Sequence, residues 1–209
     1  STEILKDHPV NASRIERGLN PATSIWLWGQ GKKPEMPLFI EKYGLCGSVV
    51  SAVDLIKGIG IASGMKSVKV EGATGNIKTN FKGKAEAAIR ELHEGRDLVY
   101  IHIEAPDECG HQGLLKEKIR AIELIDKEVL GTLLRELEDL DDYRLMVLPD
   151  HPTPIAIRTH CSDPVPFFIY DSRKPDVTNP EAVYTEAFAK STGLMIREGH
   201  KLMDIFLEA

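Results

Sequence analysis

Between residues 97 and 151 the chain passes through one order of elements that leaves few folds open: strand, polar loop, long helix, strand, polar loop. The first apolar run, residues 97–103, feeds Glu104-Ala105-Pro106-Asp107-Glu108-Cys109-Gly110-His111-Gln112-Gly113. Leu114, Leu115, Ile119, Ile122, Ile125, Val129, Leu130, Leu133, Leu134 and Leu137 then recur at helical spacing, which predicts a long amphipathic helix. The second run, residues 144–148, is almost wholly apolar and reads as a strand buried on both faces. It ends on Leu148-Pro149-Asp150-His151-Pro152-Thr153-Pro154, where the prolines stop regular structure. Short apolar strands alternating with longer helices predict an α/β fold, with a mostly parallel sheet and helices on both faces. Ligands of such a sheet sit beyond the carboxyl ends of its strands.

The groups expected at those ends are good metal ligands, because carboxylate oxygen and neutral imidazole nitrogen suit zinc or manganese. Asp107 and His111 stand four residues apart, so a single helical turn brings both to one side. Adjacent side chains on an extended segment point apart, so Asp150 and His151 are expected to reach different metals. His160 follows downstream. The plainer readings are a helix cap at Asp107, with Glu108 supporting the helix dipole, and a simple turn at Asp150-His151. Metal chemistry is favoured because all five groups fall at strand ends on one edge of one expected sheet.

Elsewhere, residues 24–28 read as a buried strand with Trp26 and Trp28 on the same side, and Gly29-Gln30-Gly31 as a turn. Residues 44–50 read as the next strand, 52–65 as a helix, 67–70 as a short strand and 84–93 as a helix. The tail beyond Pro180 carries two helical stretches, the last burying Leu202, Met203, Ile205, Phe206 and Leu207.

The segments 107–113, 148–154 and Arg158-Thr159-His160-Cys161-Ser162-Asp163-Pro164-Val165-Pro166 together resemble the cofactor-independent phosphoglycerate mutases. The archaeal-type branch, within the alkaline phosphatase superfamily, is the most similar. Residues 8–11, 25–34, 52–60 and 72–75 are similar to that branch as well, so the likeness covers nearly the whole chain. It implies an alkaline-phosphatase-like α/β fold that is incomplete, because the family's amino-terminal strand ending in Asp, and the nucleophilic Ser after it, have no counterpart here. Residues 1–20 would be the return segment or hinge from the family's inserted substrate domain, and 21–209 the carboxyl-terminal part of the catalytic domain.

By the same resemblance two divalent ions are implied, manganese or zinc, with magnesium or cobalt also acceptable. Asp107, His111 and His160 would hold one. Asp150 and His151 would hold the other, with the Asp and Ser of the amino-terminal segment. Lys57, before Gly58-Ile59-Gly60, would lie near the phosphoryl oxygens, and Arg14 and Arg17 would take the substrate's phosphate or carboxylate. The implied reaction interconverts 2- and 3-phosphoglycerate through a phosphoserine, a step of glycolysis and gluconeogenesis. The chain alone would then be inactive, its partners being phosphoglycerate and the missing amino-terminal part. The competing readings are a metal-dependent phosphatase or phosphonate-processing hydrolase of the same superfamily, and a non-catalytic metal-binding module.

Composition agrees with a soluble cytoplasmic protein. The 209 residues allow a full-size core, and no apolar run approaches a membrane span. A net charge of −6 without basic blocks gives no electrostatic support to binding nucleic acid or an anionic membrane. Cys46, Cys109 and Cys161 cannot all pair within one chain, which suits a reducing compartment. Cys109 and Cys161 neighbour the proposed ligands but lack the Cys-x-x-Cys spacing of a zinc site, so both are read as structural. Oligomeric state is left open, although a sheet lacking its amino-terminal segment should expose an edge or gap that invites self-association.

Overall fold

Val49 and Val50 are neighbours on strand β1 (Gly47–Val50), and successive strand residues face opposite ways, so together they show how the sheet is covered. In the computed structural model, which describes residues 1–27, 29–140, 142–174 and 179–208, Val49 packs against Gly60 of helix α4 (Asp54–Ala62). Val50 packs instead with Val68 and with Ala87 of helix α5 (Phe81–His93). Helices therefore cover both faces. Strands β2 (Lys66–Val68) and β3 (Leu98–Ile101) flank β1 in parallel, in the order β2-β1-β3. Stepping from β1 to β2 and then back across β1 to β3 with right-handed crossovers puts α4 and α5 on opposite faces. The same reversal creates a crevice at the carboxyl end of β1, where such sheets bind ligands.

Helix α5 begins at its Asn80 cap, whose side chain accepts the Gly83 amide at 2.8 Å, a few residues before the start expected from the sequence. Its alanines Ala85, Ala87 and Ala88 are almost fully buried, and such small side chains let helix and sheet approach closely. Helix α6 (Ala105–Gln112) follows β3 and ends at Gly113, whose φ of +71° is the left-handed cap geometry that glycine adopts without steric cost. The long helix then runs as α7 (Leu115–Leu124), a wider π turn (Ile125–Leu130) and α8 (Gly131–Leu137). Ala121, Val129, Leu133 and Leu137 join Phe81, Ala85, Ala88, Ile89 and Ala105 in the main core.

The second sheet departs from expectation. Strand β4 (Arg144–Val147) pairs antiparallel with β5 (Phe168–Asp171), a strand the sequence reading did not contain, and not with β3. All four β4 residues are half-buried, so this strand is not enclosed on both faces. An ion pair closes one end of the ladder: Arg144 lies opposite Asp171 in register, and Arg144 Nε donates to its carboxylate at 2.9 Å. Arg173 Nη2 donates to the same carboxylate at 2.6 Å, and these two guanidiniums hold Asp171 well below the usual carboxylate range despite its burial. Between β3 and β4 lies a cleft of about 470 Å³, lined by Val99 and Ile101 on one side and Tyr143 and Leu145 on the other.

The remaining elements are helix α3 (Phe39–Tyr43), before β1, and α9 (Glu186–Ser191) and α10 (Leu202–Glu208) in the tail. The two tail helices form as the sequence suggests, but of the five apolar residues expected to be buried in the last, Leu202 is buried, Met203, Phe206 and Leu207 are half-buried and Ile205 is exposed. Arg144 Nη1 donates to the Phe206 carbonyl at 3.0 Å, tying the last helix to β4.

Residues 1–35 form a separate compact unit. Helices α1 (Thr2–Lys6) and α2 (Pro9–Glu16) are fastened there by buried Asn11, whose amide donates to the Leu5 and Ala22 carbonyls and accepts from the Ala22 amide. The strand expected at residues 24–28 is absent over its described part. Ile25, Trp26 and Leu27 are irregular and exposed, at 65%, 87% and 83%. An apolar run becomes a strand only by pairing, and the described residues of this unit hold no strand for it to pair with. Trp28 lies outside the described residues.

Candidate metal centre

Pro106 in the first turn starts α6, and the helical register then places Asp107 and His111 on one face, as their spacing predicts. His111 Nε2 lies 3.4 Å from Asp107 Oδ2. His160, from the irregular segment before β5, brings its Nε2 to 3.2 Å from Asp107 Oδ1 and 3.1 Å from His111 Nε2. A cation about 2.0 to 2.2 Å from each of three tetrahedrally disposed ligands would space them roughly 3.3 Å apart. The donor set thus has the chemistry and the span of one divalent ion. Two imidazole nitrogens facing each other beside a carboxylate are otherwise poorly matched, since a neutral ring has only one N–H to offer.

The tautomer of His111 is set by its other nitrogen. His111 Nδ1 donates to the Arg158 carbonyl at 2.9 Å, which leaves Nε2 with its lone pair toward Asp107 and His160. Arg158 is the one non-glycine residue with positive φ, +53°, among those described. A non-glycine residue in this region costs about 1 to 3 kcal/mol, and such residues gather where backbone atoms must be aimed.

Asp150 and His151 lie close by but differ from expectation. The chain bends at this pair, so the side chains do not diverge: His151 Nε2 is 3.5 Å from Asp150 Oδ2. The extended geometry on which the opposite-sides expectation rested is lost in the bend at Asp150 and His151 themselves. His151 stacks on His160 with ring centroids 3.7 Å apart, which places the pair beside the first cluster. Asp150 is largely exposed.

Lys57 stands on α4 with its ammonium 3.1 Å from Asp54. With Ser51, Ala52, Ser67, Lys69, Val70 and Ala73 it lines a cleft of about 380 Å³ at the carboxyl ends of β1 and β2. Arg14 and Arg17 belong to the amino-terminal unit, both exposed, with Arg14 Nε donating to the Asn20 carbonyl at 2.8 Å. Cys109 is buried and Cys161 half-buried; all three cysteines are free thiols.

Several residues of this region escaped the sequence reading. His102, at the end of β3, lies 3.4 Å from Ser51 Oγ through Nδ1, and burial pushes its imidazole pKa down. Glu104 is pushed up by burial and by the carboxylates of Glu108 and Asp107. Lys84 is 1% exposed beneath them, its Nζ 3.4 Å from the His102 carbonyl. Thr153 is 4% exposed and donates its hydroxyl to Asp107. A lysine on the apolar stripe of α5, beside Phe81, Ala85 and Ala88, was the available signal for Lys84.

Residues 7–209 match a family model described as the Metalloenzyme superfamily. A probable 2,3-bisphosphoglycerate-independent phosphoglycerate mutase of Geobacter sulfurreducens is 47% identical over 205 residues, 98% of this chain and 51% of that protein. The enzyme so named in Methanosarcina mazei is 45% identical over 210 residues, 100% of this chain and 52% of its own. This chain therefore spans about half the length of the curated relatives it matches. Among solved structures, a protein of Pyrococcus horikoshii superposes with a TM-score of 0.68 at 33% identity, over 80% of this chain and 44% of its own. The cofactor-independent phosphoglycerate mutase of Thermoplasma acidophilum gives 0.60 at 27% identity, over 99% and 48%. No described helix is long and apolar enough to cross a membrane. A carboxylate and two imidazoles converge with cation spacing in a chain matched over almost its whole length, and by that match it belongs to the metalloenzyme superfamily.

Proposed function

We propose that this chain is the carboxyl-terminal part of the catalytic domain of a 2,3-bisphosphoglycerate-independent phosphoglycerate mutase, acting in cytoplasmic glycolysis or gluconeogenesis. The observation that carries the reading is the convergence of Asp107, His111 and His160, with the His111 lone pair directed inward by the Arg158 carbonyl. The names of the relatives supply the substrate, phosphoglycerate.

Asp107, His111 and His160 would hold one divalent ion, manganese or zinc, with magnesium or cobalt also tolerated. Asp150 and His151 would give part of a second set, completed by an Asp and a Ser from outside this chain. Such ions supply Lewis-acid charge that lowers the pKa of a bound hydroxyl and neutralises the transferring phosphoryl group. Lys57 places a point charge at the cleft beyond β1 and β2, where it would steady phosphoryl oxygens after leaving Asp54. Arg14 and Arg17 would take the substrate's phosphate or carboxylate by paired N–H donors. The carboxylates of Glu104 and Asp150 hold no proton-transfer role in this reading.

The test is turnover by a full-length protein containing this sequence. With Mn²⁺ it should convert 3-phosphoglycerate to 2-phosphoglycerate, and Asp107→Ala should abolish conversion, while the 209-residue chain alone should show none. Release of free phosphate without isomer would assign the hydrolase instead. Metal uptake without either product would leave a binding module.

A further inference from the structure

We propose that Thr153 is the positioning residue of the centre, its single hydroxyl fixing the Asp107 carboxylate and the tautomer of His151 together. The inference rests on the metal-centre reading above and deepens it. Thr153 Oγ1 donates to Asp107 Oδ1 and lies 3.3 Å from His151 Nδ1. A hydroxyl has one proton and two lone pairs. With the proton committed to the carboxylate, the oxygen can meet His151 only as an acceptor, so His151 carries its proton on Nδ1. Its Nε2 is then a lone pair, on the side of Asp150 Oδ2. The Arg158 carbonyl imposes the same tautomer on His111, so the two imidazoles are prepared alike by different acceptors.

Three elements hold Thr153 where it can do this. Lys118 of α7 donates from Nζ to the Thr153 carbonyl at 2.6 Å. Gly110 of α6 leaves the space that the threonine occupies: a Cβ there would stand 2.5 Å from the Thr153 backbone carbonyl oxygen and 2.9 Å from its Cγ2. The loop after β4 supplies the residue itself between Pro152 and Pro154, which limit its backbone. At 4% exposure the hydroxyl has little access to water as a substitute partner, so its two side-chain neighbours determine its orientation.

The variants are Thr153→Val, which keeps the shape and removes the hydroxyl, and Thr153→Ser, which keeps the hydroxyl. Imidazole ¹⁵N NMR of the metal-free 209-residue chain, at a pH where the rings are neutral, reads the His151 tautomer directly. Wild type and Thr153→Ser should show the proton on Nδ1, and Thr153→Val should lose that preference. Equilibrium dialysis against Mn²⁺ alone should show binding to Thr153→Val weakened about tenfold, the low end for loss of an outer partner, with Thr153→Ser close to wild type. An unchanged His151 tautomer in Thr153→Val overturns the proposal, as does a serine variant that behaves like valine. Wild type that takes up no Mn²⁺ while the tautomers follow the expected pattern sinks the metal-centre reading and leaves the positioning role standing.

Discussion

Replacing Lys84 by methionine should make the chain more stable at neutral pH and should remove a specific part of its pH dependence. Lys84 is 1% exposed on the core side of α5, and its ammonium lies 3.4 Å from the His102 carbonyl, its one hydrogen-bond partner among the described residues. Burial lowers its pKa from 10.5 to about 8, with the Glu104 carboxylate offsetting part of that effect. Below about pH 8 both folded and unfolded chains carry the proton, and the folded state bears the whole cost of an enclosed charge. Between pH 8 and 10.5 the folded chain has released the proton and the unfolded chain has not, so stability rises with pH. At about 1.4 kcal/mol per pH unit, the drop from 10.5 to about 8 amounts to roughly 3 kcal/mol. Urea unfolding of wild type and Lys84→Met, followed by circular dichroism from neutral pH to about 9.5, isolates this contribution because other titrating groups are common to both. The margin of the methionine chain over wild type should shrink by about 2 kcal/mol across that range. A margin that stays constant with pH would refute the reasoning, because the lysine would then be titrating as it does in water.

Asp171→Asn should destabilise the β4–β5 pair by leaving Arg144 and Arg173 without their shared carboxylate. The folded-state pKa of Asp171 is depressed, so its stabilisation is present above about pH 4 and is lost as pH falls further; acid titration of the two chains should therefore converge at low pH. Gly60→Ala should lower the melting temperature although alanine favours helix, because its Cβ would meet Val49 Cγ2 at 2.6 Å in a buried contact costing about 1 to 3 kcal/mol. Gly58→Ala, facing open space on the same helix, should raise the melting temperature, as about 1 kcal/mol of helix propensity predicts.

Local signals carried the reading of the sequence where they existed. The four-residue step from Asp107 to His111 and the glycine after Gln112 specify a single short helix, and the periodic leucines and isoleucines after it specify the long one. His160 differs, because nothing in its spacing brings it 49 residues back to His111; only the family likeness pointed there. Residues 144–148 and 24–28 have the same apolar texture and met different ends. One run found β5 as a partner, and the described part of the other, residues 24–27, lies exposed in a unit whose described residues hold no strand. Pairing is a long-range property, so apolar texture alone could identify neither β5 nor the direction of β4. Thr153 was hidden for a related reason: a threonine between prolines reads as loop, and its role depends on Gly110 and Lys118 from other elements.

The parallel sheet and the β4–β5 ribbon share no strand, yet their connecting segments meet at the cluster of Asp107, His111 and His160. An ion bound there would act as a covalent-like rivet, closing a chain loop of 49 residues between His111 and His160. Such closure removes freedom from the unfolded ensemble, so occupancy and mechanical integrity of the ribbon become one thermodynamic variable. Loss of such an ion would loosen the hold between the two sheets together with the site.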